Sequence, residues 1–86
     1  MTTKFSKDFN SQLATLQPAQ KQQVKDAIEL FLDNPTHGSL RIHSLTQEWA
    51  GWFSISASDD LRLHYKLPDD ETVFFVAVGT HDQLYD

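Results

Sequence analysis

The spacing of apolar residues changes period once along the chain, near residue 38. Phe5, Phe9, Leu13 and Leu16 recur at helical intervals behind Ser6, which has the side chain of an N-cap. Pro18 suits the first turn of a second helix. In that segment Val24, Ala27, Ile28, Phe31 and Leu32 form an apolar face, while Gln20, Lys21, Lys25 and Glu29 stay wet. Pro35 disfavours helical geometry at Asn34, and Gly38 permits a turn, so the helix ends there. Two antiparallel helices with a short connection are expected.

Beyond that point the period is two. Leu40–Leu45 is a short mixed strand, and Trp52–Ala57 places Phe53, Ile55 and Ala57 on one face and Trp52, Ser54 and Ser56 on the other. Leu61, Leu63, Tyr65 and Leu67 alternate with Arg62, His64 and Lys66, a half-buried strand. The Ser58-Asp59-Asp60 turn makes these two segments a hairpin. After Pro68-Asp69-Asp70-Glu71, the run Thr72–Val78 is apolar on both faces, as befits a central strand, and Gly79 ends it. The pattern predicts an α+β fold: an N-terminal helical hairpin packed on one face of a small twisted antiparallel sheet, one domain over 1–86.

Composition narrows the chemistry. With 86 residues, 40% hydrophobic content and ten aromatics, one small core is affordable. The absence of Cys excludes disulfides, thiolate nucleophiles and sulfur-ligated zinc. The four histidines, at 37, 43, 64 and 81, show no metal-ligand spacing, so no metal is expected. Neither a Gly-x-Ser-x-Gly elbow nor a Gly-rich phosphate loop occurs, and no nucleotide or other small-molecule cofactor is implied. No apolar run reaches the roughly 20 residues of a membrane span, and Met1–Lys7 lacks the apolar core of a signal peptide; a cytoplasmic protein without membrane contact is expected.

The net charge of −5 is unevenly placed. Residues 1–43 hold five Lys/Arg and four Asp/Glu, whereas residues 44–86 hold two against eight. A chain that lives on polyanions is usually basic. Here the acids cluster at turns and the tail, leaving Arg62, His64 and Lys66 as a basic row at period two. That row reads either as a solvated outer face or as a phosphate-gripping floor, with Trp52, Ser54 and Ser56 as neighbours. By themselves, His43 and His81 read as structural histidines.

The segments Leu40-Arg41-Ile42-His43-Ser44-Leu45, Trp49-Ala50-Gly51-Trp52-Phe53-Ser54-Ile55, Asp60-Leu61-Arg62-Leu63-His64-Tyr65-Lys66 and Gly79-Thr80-His81-Asp82-Gln83-Leu84-Tyr85, in this order, resemble the RelE/ParE toxin superfamily of bacterial type II toxin–antitoxin systems, and most nearly its YafQ-like branch. The resemblance covers nearly the whole chain. It implies a first strand, drawn here from Thr2–Ser6, and an activity: metal-free, ribosome-dependent cleavage of mRNA, inhibiting translation and restrained by a cognate antitoxin. By position, His43 and His81 match acid–base histidines of that branch, Asp60 its catalytic aspartate, and Tyr85 its C-terminal aromatic residue. Arg62 matches the phosphate-holding strand arginine of RelE-type members. His64, Lys66 and Trp52 are the candidate substrate-binding residues. Ser56 stands where the branch has a further histidine, and Phe53 and Ile55 where RelE-type members have lysines. The other function the resemblance allows is binding alone, as a gyrase inhibitor or a degenerate member that only engages its antitoxin.

Overall fold

The structure is a computed structural model that describes residues 1–85, with side chains described through residue 84. Five strands form one sheet in the order β1-β5-β4-β3-β2: β1 Thr2–Phe5, β2 His43–Ser44, β3 Phe53–Ser56, β4 Leu61–Asp69 and β5 Thr72–Thr80. Helices α1 (Lys7–Ala14) and α2 (Pro18–Asp33) cover one side, and a short helix α3 (His81–Tyr85) follows β5 directly.

The N-terminal turn shows how the sequence builds this. Ser6 caps α1 as predicted: its hydroxyl oxygen accepts the Phe9 N–H at 2.9 Å. The same hydroxyl donates to the Val76 carbonyl at 2.7 Å, and the Gln12 side-chain carbonyl accepts the Val78 N–H at 2.9 Å. The α1 cap and one α1 side chain thus satisfy β5 main-chain groups beyond the last β1 pairing, Phe5 with Phe75. The Phe5 spacing proves deceptive, because Phe5 belongs to β1 rather than α1. Its ring nonetheless meets Phe9 at 5.2 Å and Phe75 at 5.8 Å.

The first strand is complete and runs parallel to β5, so the sheet is mixed, whereas alternation along the later strands predicted an antiparallel one. The β2–β3, β3–β4 and β4–β5 pairings are antiparallel as expected. Leu40–Leu45 is mostly not strand: Gly38–Leu40 is a 3-10 turn, Arg41 takes a left-handed conformation (φ 49°), and only His43–Ser44 pairs. In β5 the extra residue Val76 stands opposite the His64–Tyr65 step, since His64 pairs with Ala77 and Tyr65 with Phe75. That bulge shifts the alternation by one, so Val73, Phe75 and Val78 all reach the core. They meet Phe9, Val24 and Phe31 from the helices and Ile55, Leu63 and Tyr65 from the neighbouring strands. Burial pushes the Tyr65 phenol up to about 12.

No helix among the described residues is long and apolar enough to cross a membrane.

Candidate functional site

The side of the sheet turned away from the helices carries the chemistry. His43, Ser54, His64 and Ala77 form one row across four strands, by register. His64 and Ser54 are nevertheless fully buried at 0% exposure. The loop between β2 and β3 lies against His64. The Leu45 N–H donates to the Trp52 carbonyl at 2.8 Å and the Trp52 N–H to the Trp49 carbonyl at 3.0 Å, folding the segment onto itself. Gly51 makes the return possible at φ 91°, a conformation disfavoured for any side-chain-bearing residue. The Trp49 ring is then 4.5 Å from the His64 ring at 79°, and 5.9 Å from Trp52 at 87°.

The expected basic row is therefore broken up. Burial, reinforced by the nearby His43 charge, lowers the His64 pKa to about 4, so it is neutral at physiological pH and supplies no positive charge. The Lys66 ammonium lies 4.8 Å from the Trp52 ring centre and 6.0 Å from that of Phe74. Arg62 turns back on the β3–β4 connection, donating from Nη1 to the Ser58 carbonyl (2.7 Å) and the Leu61 carbonyl (3.2 Å), and from Nη2 to the Asp59 carbonyl (2.8 Å). Its Nε–H and second Nη2–H have no partner among the described residues and remain to meet an anion.

His43, Arg62 and His81 line one open cleft of about 620 Å³, together with Thr46, Trp49 and Leu84. Glu48 is the acidic member of its wall. His43 Nδ1 lies 3.1 Å from the Arg41 carbonyl. A carbonyl can only accept, so in the neutral ring the proton is on Nδ1 and the Nε2 lone pair is left to take another. His81 opens α3, held by its main-chain N–H on the Asp60 carbonyl at 3.2 Å. Its ring is 62% exposed, with Nδ1 3.8 Å from an Asp82 carboxylate oxygen.

Three of the sequence candidates, His43, Arg62 and His81, thus share the cleft. Asp60 is joined to the site through its main chain, and its exposed carboxylate is not part of the cleft lining. Trp52 and Lys66 lie beside the cleft. His64 is beneath it, a correction to its reading as a contact residue. The Tyr85 side chain lies outside the described residues. Phe53 and Ile55 face the core. Sequence reasoning passed over Trp49, although a second tryptophan beside Gly51 was the available signal. Among the described residues no three His, Cys, Asp or Glu side chains converge as a metal site would require.

A family model described as "Bacterial toxin of type II toxin-antitoxin system, YafQ" matches residues 1–86. Among solved structures, YafQ from E. coli strain BL21(DE3) superposes with a TM-score of 0.80 at 25% identity, over 98% of this chain and 97% of that one. YafQ in the E. coli DinJ–YafQ complex gives 0.77 at 25% identity, over 98% and 97%. A YoeB/ParE toxin from Agrobacterium tumefaciens shares the fold at 15% identity, with a TM-score of 0.77 over 94% and 99%. A sequence comparison with curated proteins gives no match.

Proposed function

The chain belongs to the YafQ family of bacterial type II toxin–antitoxin toxins, and on that footing we propose that it is an endoribonuclease that cleaves mRNA on the ribosome and so inhibits translation. The reaction uses the 2′-hydroxyl of the substrate as nucleophile on the adjacent phosphate. It needs a base for that proton, an acid for the departing 5′-oxygen, and donors for the charge that builds on phosphorus. His43, whose Nε2 carries the lone pair, is the base. His81 protonates the leaving oxygen. The two remaining N–H groups of Arg62 hold the phosphate, and Asp60 and Tyr85 complete the site by family position. No metal or small-molecule cofactor takes part in this scheme.

The observation that carries the reading is that two histidines 38 positions apart in sequence share one cleft with the Arg62 guanidinium. His43→Ala and His81→Ala should each lower cleavage on translating ribosomes by roughly 10²-fold or more. Both residues are exposed, so the fold should survive. Full cleavage by either folded variant would remove it from the catalytic assignment.

DinJ accompanies YafQ in the E. coli complex, and a cognate antitoxin that binds this chain in the cytoplasm is part of the proposal. The net charge of −5 and Glu48 in the cleft wall favour a second reading, action by binding alone. In that case controlled expression would arrest growth with no cut sites seen by primer extension.

A further inference from the structure

We propose that Trp49 and Trp52, with Lys66 beside them, form a platform that stacks an unpaired nucleobase next to the cleft. The proposal rests on the RNA-cleaving reading above and extends it to a residue outside the acid–base set. Trp49 is common to both places: it lines the cleft with His43 and Arg62, and its ring packs at 5.9 Å edge-to-face against Trp52. Both indoles are half-buried, and two large rings kept partly in water need a reason.

What holds them is particular. Beneath Trp49 lies the His64 ring, 4.5 Å away and fully buried, so the loop is pinned to the sheet rather than resting on it. A neutral imidazole there adds no charge to steer the loop elsewhere. The Lys66 ammonium lies over Trp52, 4.8 Å from its ring centre. An exposed cation–π contact is weak, so the flexible lysine can leave the indole for a phosphate when a base arrives.

The chemistry fits single-stranded nucleic acid in particular. Every base offers a π-face to an indole, and the backbone offers one anion per nucleotide. Arg62 and Lys66 stand four residues apart on one side of β4, roughly 13 Å at about 3.3 Å per residue. A strand held by Arg62 at the scissile phosphate therefore passes over the tryptophans before it reaches Lys66. That path also gives an acidic protein a grip that does not depend on bulk charge.

The test uses the full chain and a ten-nucleotide 2′-O-methyl RNA, which cannot be cleaved, with binding read by tryptophan quenching and anisotropy. Trp52→Leu, which keeps apolar bulk without the ring system, should weaken binding by about tenfold or more, the scale of one lost base stack. Trp52→Phe should retain most of the affinity, and Lys66→Gln should flatten the slope of log affinity against log salt by about one phosphate's worth. Urea melts verify that each variant is folded. Cleavage is read separately on translating ribosomes, which separates this proposal from the cleavage chemistry: a wild-type chain that binds the oligonucleotide but cuts no message leaves the platform standing. RNA binding unchanged in folded Trp52→Leu overturns the platform while leaving the cleavage reading untouched. Failure of the wild-type chain to bind the oligonucleotide overturns it as well. Self-association of the wild type that disappears in Trp52→Leu with RNA binding unaffected would assign the rings to contact between copies of the chain instead.

Discussion

Mild acidification should destabilise this protein through His64. His64 titrates near 4 in the folded state and near 6.5 when the chain is unfolded. Between those values the unfolded chain holds a proton that the folded one refuses, so stability rises with pH across the window. The contribution is fully present above about pH 6.5 and is lost as pH falls toward 4. The shift from 6.5 to about 4 corresponds to roughly 3 kcal/mol in total, of which roughly 2 kcal/mol is lost by pH 5. Against the 5–15 kcal/mol of an ordinary domain that is a large share. The comparison is between wild type and His64→Gln, which keeps a polar side chain that does not titrate. Urea unfolding at pH 7, 6 and 5 gives each free energy, and carboxylates common to both proteins cancel in the difference. The wild type should lose about 2 kcal/mol more than the variant between pH 7 and 5. Parallel curves would mean that His64 accepts a proton in the folded state, and the account of its burial under Trp49 would be wrong.

Three further outcomes are expected. Arg62→Lys keeps the charge but loses the planar fork, so cleavage should fall at least about tenfold, and Arg62→Ala should remove nearly all of it, while Lys66→Ala matters less; growth inhibition surviving in folded Arg62→Ala would favour the binding-only reading. Ser6→Ala removes both the α1 cap and the bond to the Val76 carbonyl and should cost about 2 kcal/mol, roughly 10 °C in Tm by calorimetry; a Tm within 2–3 °C, roughly, of wild type would show that water replaces the hydroxyl without loss. Antitoxin binding by a toxin of charge −5 should rely on apolar anchors, so its affinity should change little between low and physiological salt, and a loss of several orders of magnitude in a salt titration would contradict this.

Local physics was legible where it was local. The Ser6 cap, Pro18 at the start of α2 and the alternation of Leu61, Leu63 and Tyr65 all act within a few residues, and each lies where the pattern put it. Thr2–Phe5 was harder, because a parallel edge strand depends on a partner 70 positions away and Phe5 also satisfies the helical period. The Arg62-His64-Lys66 row shows the same limit at the candidate site. Alternation tells which side of a sheet a residue faces, but not whether a loop from another part of the chain covers that side. Trp49 does so at His64, the β3–β4 carbonyls draw in Arg62, and Trp52 takes Lys66. His43 and His81 line one cleft although β3 and β4 stand between their strands, a placement that the spacing of residues along the chain does not encode.

The place of β5 in the sheet also bears on when the fold can close during synthesis. This strand, Thr72–Thr80, joins the first strand to the rest and receives Ser6 and Gln12 from α1. Without it, β1 has no neighbour and α1 has only part of its footing, so a nascent chain that has reached only the β4–β5 turn holds two fragments with nothing between them. Long-range pairing of this kind forms slowly and late. The cleft has the same dependence, since His81 follows the strand by one residue. A ribosome translating this message therefore exposes no finished site while residues 72–81 are still in its exit tunnel. The α1 packing and the candidate cleft therefore reach their final form together, once β5 has paired on both of its sides.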